Sequence, residues 1–198
     1  MQSRVPAIHP LWMRLTHWLN AVAVLIMVGS GWRIYDASPI FSFSIPPAIT
    51  MGGWLGGALQ WHFAAMWLLV LNGLVYLVLC IATGRLRRKL LPLSPAAFIA
   101  DAKAALAGRL SHADLSHYNA VQKAAYLAII VDLIVLVLSG LAIWKSVQFP
   151  VLRTLMGGYD NARVVHFLAM AFAVAFLAVH IVMVALVPRT LLAMLRGR

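Results

Sequence analysis

Four long apolar stretches, separated by polar or proline-rich connections, dominate the pattern of the chain. Each exceeds the about 20 mainly apolar residues that a helix needs to cross a bilayer. Charged side chains are rare inside them. The pattern therefore predicts an all-α, integral membrane four-helix bundle that occupies residues 1–198 as one domain, with spans at about 11–35, 55–83, 119–145 and 161–187.

The connections between these stretches differ in character. Residues 36–54 are rich in Pro, Gly and Ser, which predicts an irregular, apolar cap. Residues 94–110 begin with Ser94 and Pro95, a helix N-cap followed by proline at the first helical position. Apolar or small residues recur every four positions after it, which predicts an amphipathic helix on the membrane surface. No internal repeat is visible.

The composition narrows the classes of function. The one cysteine, Cys80, lies in an apolar run, so a disulfide, a cysteine-based metal site and covalent heme attachment through CxxCH are excluded. Sixteen Lys and Arg stand against five acidic residues. A soluble protein with this balance would suggest a nucleic-acid partner. Here the basic residues lie mostly between apolar runs, so we expect membrane lipid headgroups as partners and no nucleic acid.

The distribution of Lys and Arg also predicts the orientation. Eleven of them lie in the N-terminal segment, the loop after the second span and the C-terminal tail, whereas four lie on the other side. The positive-inside rule then places both termini in the cytoplasm. Most tryptophans lie near the ends of the spans, as in an aromatic belt.

Four histidines lie inside the apolar stretches, one each in the first two spans and two in the fourth: His17, His62, His166 and His180. An ionisable residue within a span is costly and is a functional candidate by default. A lone histidine would more often be a packing residue. Four in this arrangement, with almost no acidic partner, favour a role in chemistry.

Helix geometry predicts how these histidines pair. His166 and His180 are fourteen residues apart, which corresponds to 1400° of rotation and a rise of about 21 Å, so both rings face nearly the same side of the fourth helix. Depth in the membrane then matches His180 with His17 near the cytoplasmic surface. At the outer surface it matches His166 with His62.

Two stacked bis-imidazole sites suit two hemes b, because two neutral imidazoles fill both axial positions of the iron and favour electron transfer over substrate ligation. Zinc or copper would need three or four ligands at one depth. Glycines in the spans would leave room for a macrocycle or for close helix packing. Four arginines near the two depths are candidate partners of the heme propionates, with lipid-facing charge as the alternative: Arg14, Arg33, Arg153 and Arg163.

The motifs around these histidines carry a family resemblance. RLTHWLN surrounds His17, LQWHFAAMW surrounds His62, HYNAVQKAAYL opens the third span, and RVVHFLAM and LAVHIVM lie on the fourth. Over nearly the whole chain the sequence resembles the bacterial cytochrome b561 / nickel-iron hydrogenase b-type cytochromes, which include membrane subunits of formate dehydrogenase and thiosulfate reductase. The resemblance implies the same ligand pairing, a bacterial inner-membrane location, and a periplasmic partner of the hydrogenase or molybdopterin type.

The start of the third span is the candidate quinone pocket. YNAVQK resembles the YNAGQK stretch of the formate dehydrogenase subunits, whose Asn lies at the quinone, although Val121 replaces the glycine here. This motif and the cytoplasmic depth of the His17/His180 site nominate four residues for the pocket: Asn119, Gln122, Lys123 and His117. The alternative is that Asn119 caps the helix and that Gln122 and Lys123 lie at the membrane interface.

Three functions remain open at this stage. The leading expectation is a diheme electron-transfer subunit that takes electrons from a periplasmic oxidoreductase at the outer heme and reduces quinone at the inner one. Such inward flow would build a membrane potential, positive outside. The alternatives are a stand-alone superoxide:quinone oxidoreductase, which a basic outer surface would suit, and a small metal or proton carrier.

Overall fold

A computed structural model describes residues 8–107 and 118–197. The described residues form α-helices and connecting loops, and no strand occurs among them. Short helical turns lie at Pro47–Ile49 and Leu86–Leu90. The α-helices are, in chain order, α1 (Leu11–Ala37), α2 (Leu55–Ala82), α3 (Pro95–Leu106), α4 (Ala120–Trp144), α5 (Pro150–Leu155), α6 (Tyr159–Leu186) and α7 (Pro188–Arg196).

Four of these helices, α1, α2, α4 and α6, are long and apolar enough to cross a membrane. They lie at the four stretches that the sequence predicted. Large apolar side chains along them face outward, for example Ile81, Val179 and Leu186, which are 65%, 63% and 71% exposed. A water-soluble protein would bury such a surface, so the exposed apolar belt fits a bilayer.

The interior between the long helices is built from small residues. Helix α1 packs along α2, and α4 packs along α6. Ala23, Ala58, Ala142 and Ala162 are completely buried. Small side chains let helix backbones approach closely, which is the main source of packing energy between helices in lipid.

A polar contact also ties α1 to α2 inside the membrane. The Asn72 amide of α2 donates to the Thr16 carbonyl at 2.7 Å and to Asn20 Oδ1 at 2.6 Å, both on α1. Asn72 is 8% exposed, so these bonds are shielded from water. They fix the two helices beside His17, which follows Thr16 directly.

The first and last described residues, Ile8 and Gly197, lie together at one end of the bundle, which we call the terminus end. The Ile8 amide donates to the Gly197 carbonyl at 2.9 Å. The guanidinium of Arg14 in α1 donates to the Met194 and Leu195 carbonyls at the C-terminal end of α7. These carbonyls have no partner within their own helix, so Arg14 caps α7.

The opposite end is closed by the connection between α1 and α2, where the sequence predicted an irregular cap. The phenol of Tyr35 donates to the Phe43 carbonyl at 2.9 Å, and its ring contacts Phe43 and Phe167. The carboxylate of Asp36 accepts from the Ile45 amide at 2.8 Å. An aromatic cluster therefore anchors this loop to α1 and α6.

The structure adds two short helices, α5 and α7, in segments where the sequence predicted no helix. Each has proline at its first position, and Gly197 ends α7 in the left-handed conformation, at φ 84°. Helix α3 lies in the segment 94–110, where the sequence predicted a helix, and Ser94 Oγ accepts from the Ala97 backbone amide at 3.3 Å. Residues 108–110 of that prediction lie outside the described residues.

Candidate functional site

The four intramembrane histidines form two facing pairs at different levels of the bundle. The rings of His17 on α1 and His180 on α6 have centroids 6.0 Å apart, near the terminus end. The rings of His62 on α2 and His166 on α6 have centroids 6.4 Å apart, near the opposite end. The structure thus brings together the same partners that helix geometry predicted. All four rings are half-buried.

These separations fit a metal bound between each pair. An imidazole nitrogen lies about 2.0 Å from a metal that it ligates, and the ring centroid lies about 1.1 Å behind the nitrogen. Two rings on opposite sides of one metal ion would therefore have centroids about 6.2 Å apart. In the described part of the chain, no three His, Cys, Asp or Glu side chains converge as a zinc or copper site would require.

Serine hydroxyls orient the second pair. Ser30 Oγ lies 3.1 Å from His62 Nδ1, and Ser139 Oγ lies 2.9 Å from His166 Nδ1. Each serine hydrogen is directed to a backbone carbonyl one turn earlier, so the serine oxygen accepts from the ring Nδ1–H. In this tautomer Nε2 of both rings carries the free lone pair that can bind iron.

Two glycines make room for the same rings. A Cβ atom at Gly31 would lie 3.4 Å from His62 Cε1, and one at Gly140 would lie 3.4 Å from His166 Cε1. This is at the tight limit of ordinary carbon contacts, so larger side chains would push the rings away. At both positions the ring of a histidine on the neighbouring helix bounds the space that a Cβ atom would fill.

The four arginines nominated as propionate partners have different surroundings. Arg14 caps α7, and Arg163 donates to Ser38 in the loop after α1. Arg33 is half-buried and Arg153 is exposed, and within the described residues neither has a hydrogen-bond or ion-pair partner. Arg33 and Arg153, at the opposite end, are therefore the two with guanidinium groups free of other described contacts.

The residues nominated for quinone lie at the start of α4. Asn119 Oδ1 accepts from the Gln122 amide at 2.8 Å, and Gln122 Oε1 accepts from the Asn119 amide at 3.1 Å. This reciprocal arrangement is a capping box, the alternative weighed from the sequence. Lys123 follows in the first turn and is half-buried. His117 lies outside the described residues.

His9, just before α1, has a ring nitrogen that is buried without a hydrogen-bond partner among the described residues. Burial lowers the pKa of His9, and the nearby charges of Arg85, His17 and Arg14 lower it further. The ring is therefore neutral at pH 7.

Sequence reasoning missed Ser30, Ser139 and Asn72 as parts of the site and its supports. A signal for the serines was present. Both precede a glycine, in SG at 30–31 and 139–140, and each histidine they contact opens a similar stretch, HFAAM at 62–66 and HFLAM at 166–170. The two halves of the chain therefore do contain a weak repeat, which corrects the expectation that none exists.

The described chain combines four apolar helices of membrane-spanning length with two facing pairs of histidines between them. Residues 8–197 match the family described as prokaryotic cytochrome b561, and the chain belongs to this family. Membership implies a b-type heme, and together with the four apolar helices it makes the chain a multi-pass protein of the bacterial inner membrane.

A relative from Azospira oryzae (strain ATCC BAA-33 / DSM 13638 / PS) is similar over the full length of both chains. It is 66% identical over 197 residues, which cover 100% of each. Its name is "Putative protein-methionine-sulfoxide reductase subunit YedZ1".

Proposed function

We propose that this chain is a diheme b-type cytochrome, the membrane subunit that carries electrons between the quinone pool and a periplasmic redox partner. The two hemes b are ligated by His17 with His180 and by His62 with His166. The observation that carries the proposal is the centroid separation of the two ring pairs, 6.0 and 6.4 Å, at the spacing of a bis-imidazole iron site.

The protein contributes the environment of this chemistry. Heme b, when bound, supplies a one-electron iron couple. His17 with His180 and His62 with His166 would hold the two irons through neutral ring nitrogens, and iron held in this way would favour electron transfer over binding of substrate. The apolar belt keeps water away from the electron path.

The terminus end faces the cytoplasm in this proposal. The basic residues flanking it, among them Arg85, Arg87 and Arg88, support that orientation. The opposite end, with the aromatic cap, α5 and exposed Arg153, then faces the periplasm and the partner. Arg33 and Arg153 are the candidates for pairing with propionates there.

The quinone head group binds near the start of α4, close to the His17/His180 level. The capping box uses the side-chain oxygens of Asn119 and Gln122, and their amide NH₂ groups remain as donors to a quinone carbonyl. Lys123 and His117 complete the proposed pocket, His117 as a proton-exchanging group.

The relative's name favours a partner of the sulfoxide-reductase type, which belongs to the periplasmic redox subunits expected from the sequence. A sulfoxide reductase consumes electrons. We therefore infer that quinol is oxidised at the terminus end and that electrons leave at the opposite end. The sequence predicted electron flow toward the cytoplasm, and that direction would suit a partner that donates electrons, such as a hydrogenase. The stand-alone superoxide function finds less support, because the full-length relative is named as a subunit.

Ligation is tested by the heme content of purified protein. We expect two non-covalent, low-spin hemes, and His62→Ala or His166→Ala should each remove one and the same heme. His9→Gln, a histidine outside the pairs, is the matched control and should keep both. If His166→Ala retained two native hemes, the pairing would be wrong.

Direction is tested in liposomes with the partner on the outside and a potential-sensitive dye. Outward flow coupled to quinol oxidation makes the interior positive, whereas inward flow makes it negative. An electroneutral reaction would mean that quinone reacts at the opposite end. Co-purification of a redox subunit with the tagged chain separates the subunit from a stand-alone oxidoreductase.

A further inference from the structure

The helices of the bundle are related in pairs by constant shifts along the sequence. Helix α1 begins at Leu11 and α4 at Ala120, 109 positions later. Helices α2 and α6 both have 28 residues and begin at Leu55 and Tyr159, 104 positions apart. Since α1 packs along α2 and α4 along α6, the bundle consists of two similar helix pairs.

The His62/His166 site follows this relation in detail. His62 and His166 are 104 positions apart, and Ser30 and Ser139 are 109 positions apart. Ser30 Oγ donates to the Ile26 carbonyl at 2.6 Å, and Ser139 Oγ donates to the Val135 carbonyl at 2.7 Å. Ser30 Oγ also lies 3.3 Å from the Met27 carbonyl and Ser139 Oγ lies 3.2 Å from the Leu136 carbonyl, acceptors that are again 109 positions apart.

The aromatic contacts around the site also correspond: each joins a helix of one pair to a helix of the other pair. Tyr35 of α1 contacts Phe167 of α6, and Trp144 of α4 contacts Phe63 of α2, both with ring centroids 4.8 Å apart. The shift is constant within each pair of corresponding helices, 109 positions for α1 and α4 and 104 for α2 and α6, and the ring contacts match. Together they describe a local two-fold relation in which His62 corresponds to His166. An iron held by these two histidines would have a serine contact behind the ring on each side.

The His17/His180 site does not follow this relation. The positions that correspond to His17 and His180 are occupied by Tyr126 and Tyr76. Within the described residues, neither His17 nor His180 has a hydrogen bond to a ring nitrogen. The serine contacts therefore distinguish one histidine pair from the other.

We propose that Ser30 and Ser139 are a symmetric pair of positioning residues that hold His62 and His166 with Nε2 toward the iron and lower the reduction potential of that heme. The inference rests on the heme ligation in the proposed function. A ligand histidine that donates its other N–H to an oxygen becomes a stronger electron donor. Stronger donation stabilises the oxidised iron, and the reduced iron becomes a better donor to a partner at this end.

The test is a redox titration of the purified diheme protein, with Ser30→Ala, Ser139→Ala and the double variant. We expect an upward shift of the midpoint of the His62/His166 heme in each single variant and a larger shift in the double. The other heme serves as an internal reference and should not move. Ser30→Thr and Ser139→Thr keep the hydroxyl and should restore the native midpoint.

Thr16→Val is the matched control. Thr16 is also a buried hydroxyl on α1, and it donates to the Met13 carbonyl at 3.1 Å without contacting a histidine. Its loss should leave the midpoint of the His62/His166 heme unchanged. A His166→Ala preparation assigns the two titration components.

The outcomes separate this inference from the proposed function. If both hemes bind and the double alanine variant keeps native midpoints, the role of the serines is refuted. If the double variant loses the His62/His166 heme, the midpoint potentials of the two single variants decide: a native midpoint in both refutes the role of the serines. If the wild-type chain binds no heme between His62 and His166, the proposed function itself fails.

Discussion

Replacing Asn72 by Leu removes two hydrogen bonds inside the membrane with little change in side-chain size. Bonds between membrane helices contribute about 0.6 kcal/mol each on average and up to about 1.7 kcal/mol. The amide donates to the Thr16 carbonyl and to Asn20 Oδ1 at 2.7 and 2.6 Å, short distances in a site that is 8% exposed. We therefore expect Asn72→Leu to lower the free energy of unfolding by about 1–3 kcal/mol. This corresponds to roughly a five- to 150-fold shift in the unfolding equilibrium.

The measurement is reversible unfolding in mixed dodecyl maltoside and SDS micelles, followed by heme absorbance. Asn20→Leu removes one of the two bonds and should cost about half as much. In the double variant, Asn20→Leu should add little, because its partner is already gone, so the two effects should not sum. Unchanged stability in Asn72→Leu, or fully additive effects, would refute the assigned contacts. The His17/His180 heme should be affected before the other, since Thr16 adjoins His17.

Three further predictions address single contacts. Gly140→Val should displace the ring of His166 and remove one heme, which a pyridine hemochrome assay measures. Gly73→Ala is the control and should keep both hemes, because an added Cβ there meets no described atom within 4 Å. Arg14→Ala should expose α7 to limited proteolysis while both hemes stay, and heme loss would instead favour a propionate contact. His9 has a lowered pKa, so stability should fall as pH drops below about 6.5, where the unfolded chain binds the proton first. His9→Gln should flatten this dependence, and an unchanged pH profile would contradict it.

The quinone residues show how one motif supports two interpretations. Asn119 and Gln122 have the sequence of a capping box and also match the quinone motif of the formate dehydrogenase subunits. The structure shows that their side-chain oxygens cap α4. Their side-chain amide nitrogens are the donors that the proposed quinone pocket would use. Asn119→Asp keeps the cap and removes the NH₂ group, so slower quinol-dependent heme reduction with unchanged stability would support the pocket.

The sequence by itself determined the four long helices, because length and apolarity decide what can cross a bilayer. It also determined the pairing of His17 with His180 and of His62 with His166, because the period of an α-helix fixes which residues share a face and how far apart they lie. Only the tertiary structure decided the contacts between helices. These contacts join residues that are distant in sequence. They include the contacts of Ser30 and Ser139 with histidine Nδ1 atoms, the hydrogen bonds of Asn72, and the capping of α7 by Arg14. Such contacts depend on how helices rotate and approach one another, and hydropathy carries no information about that.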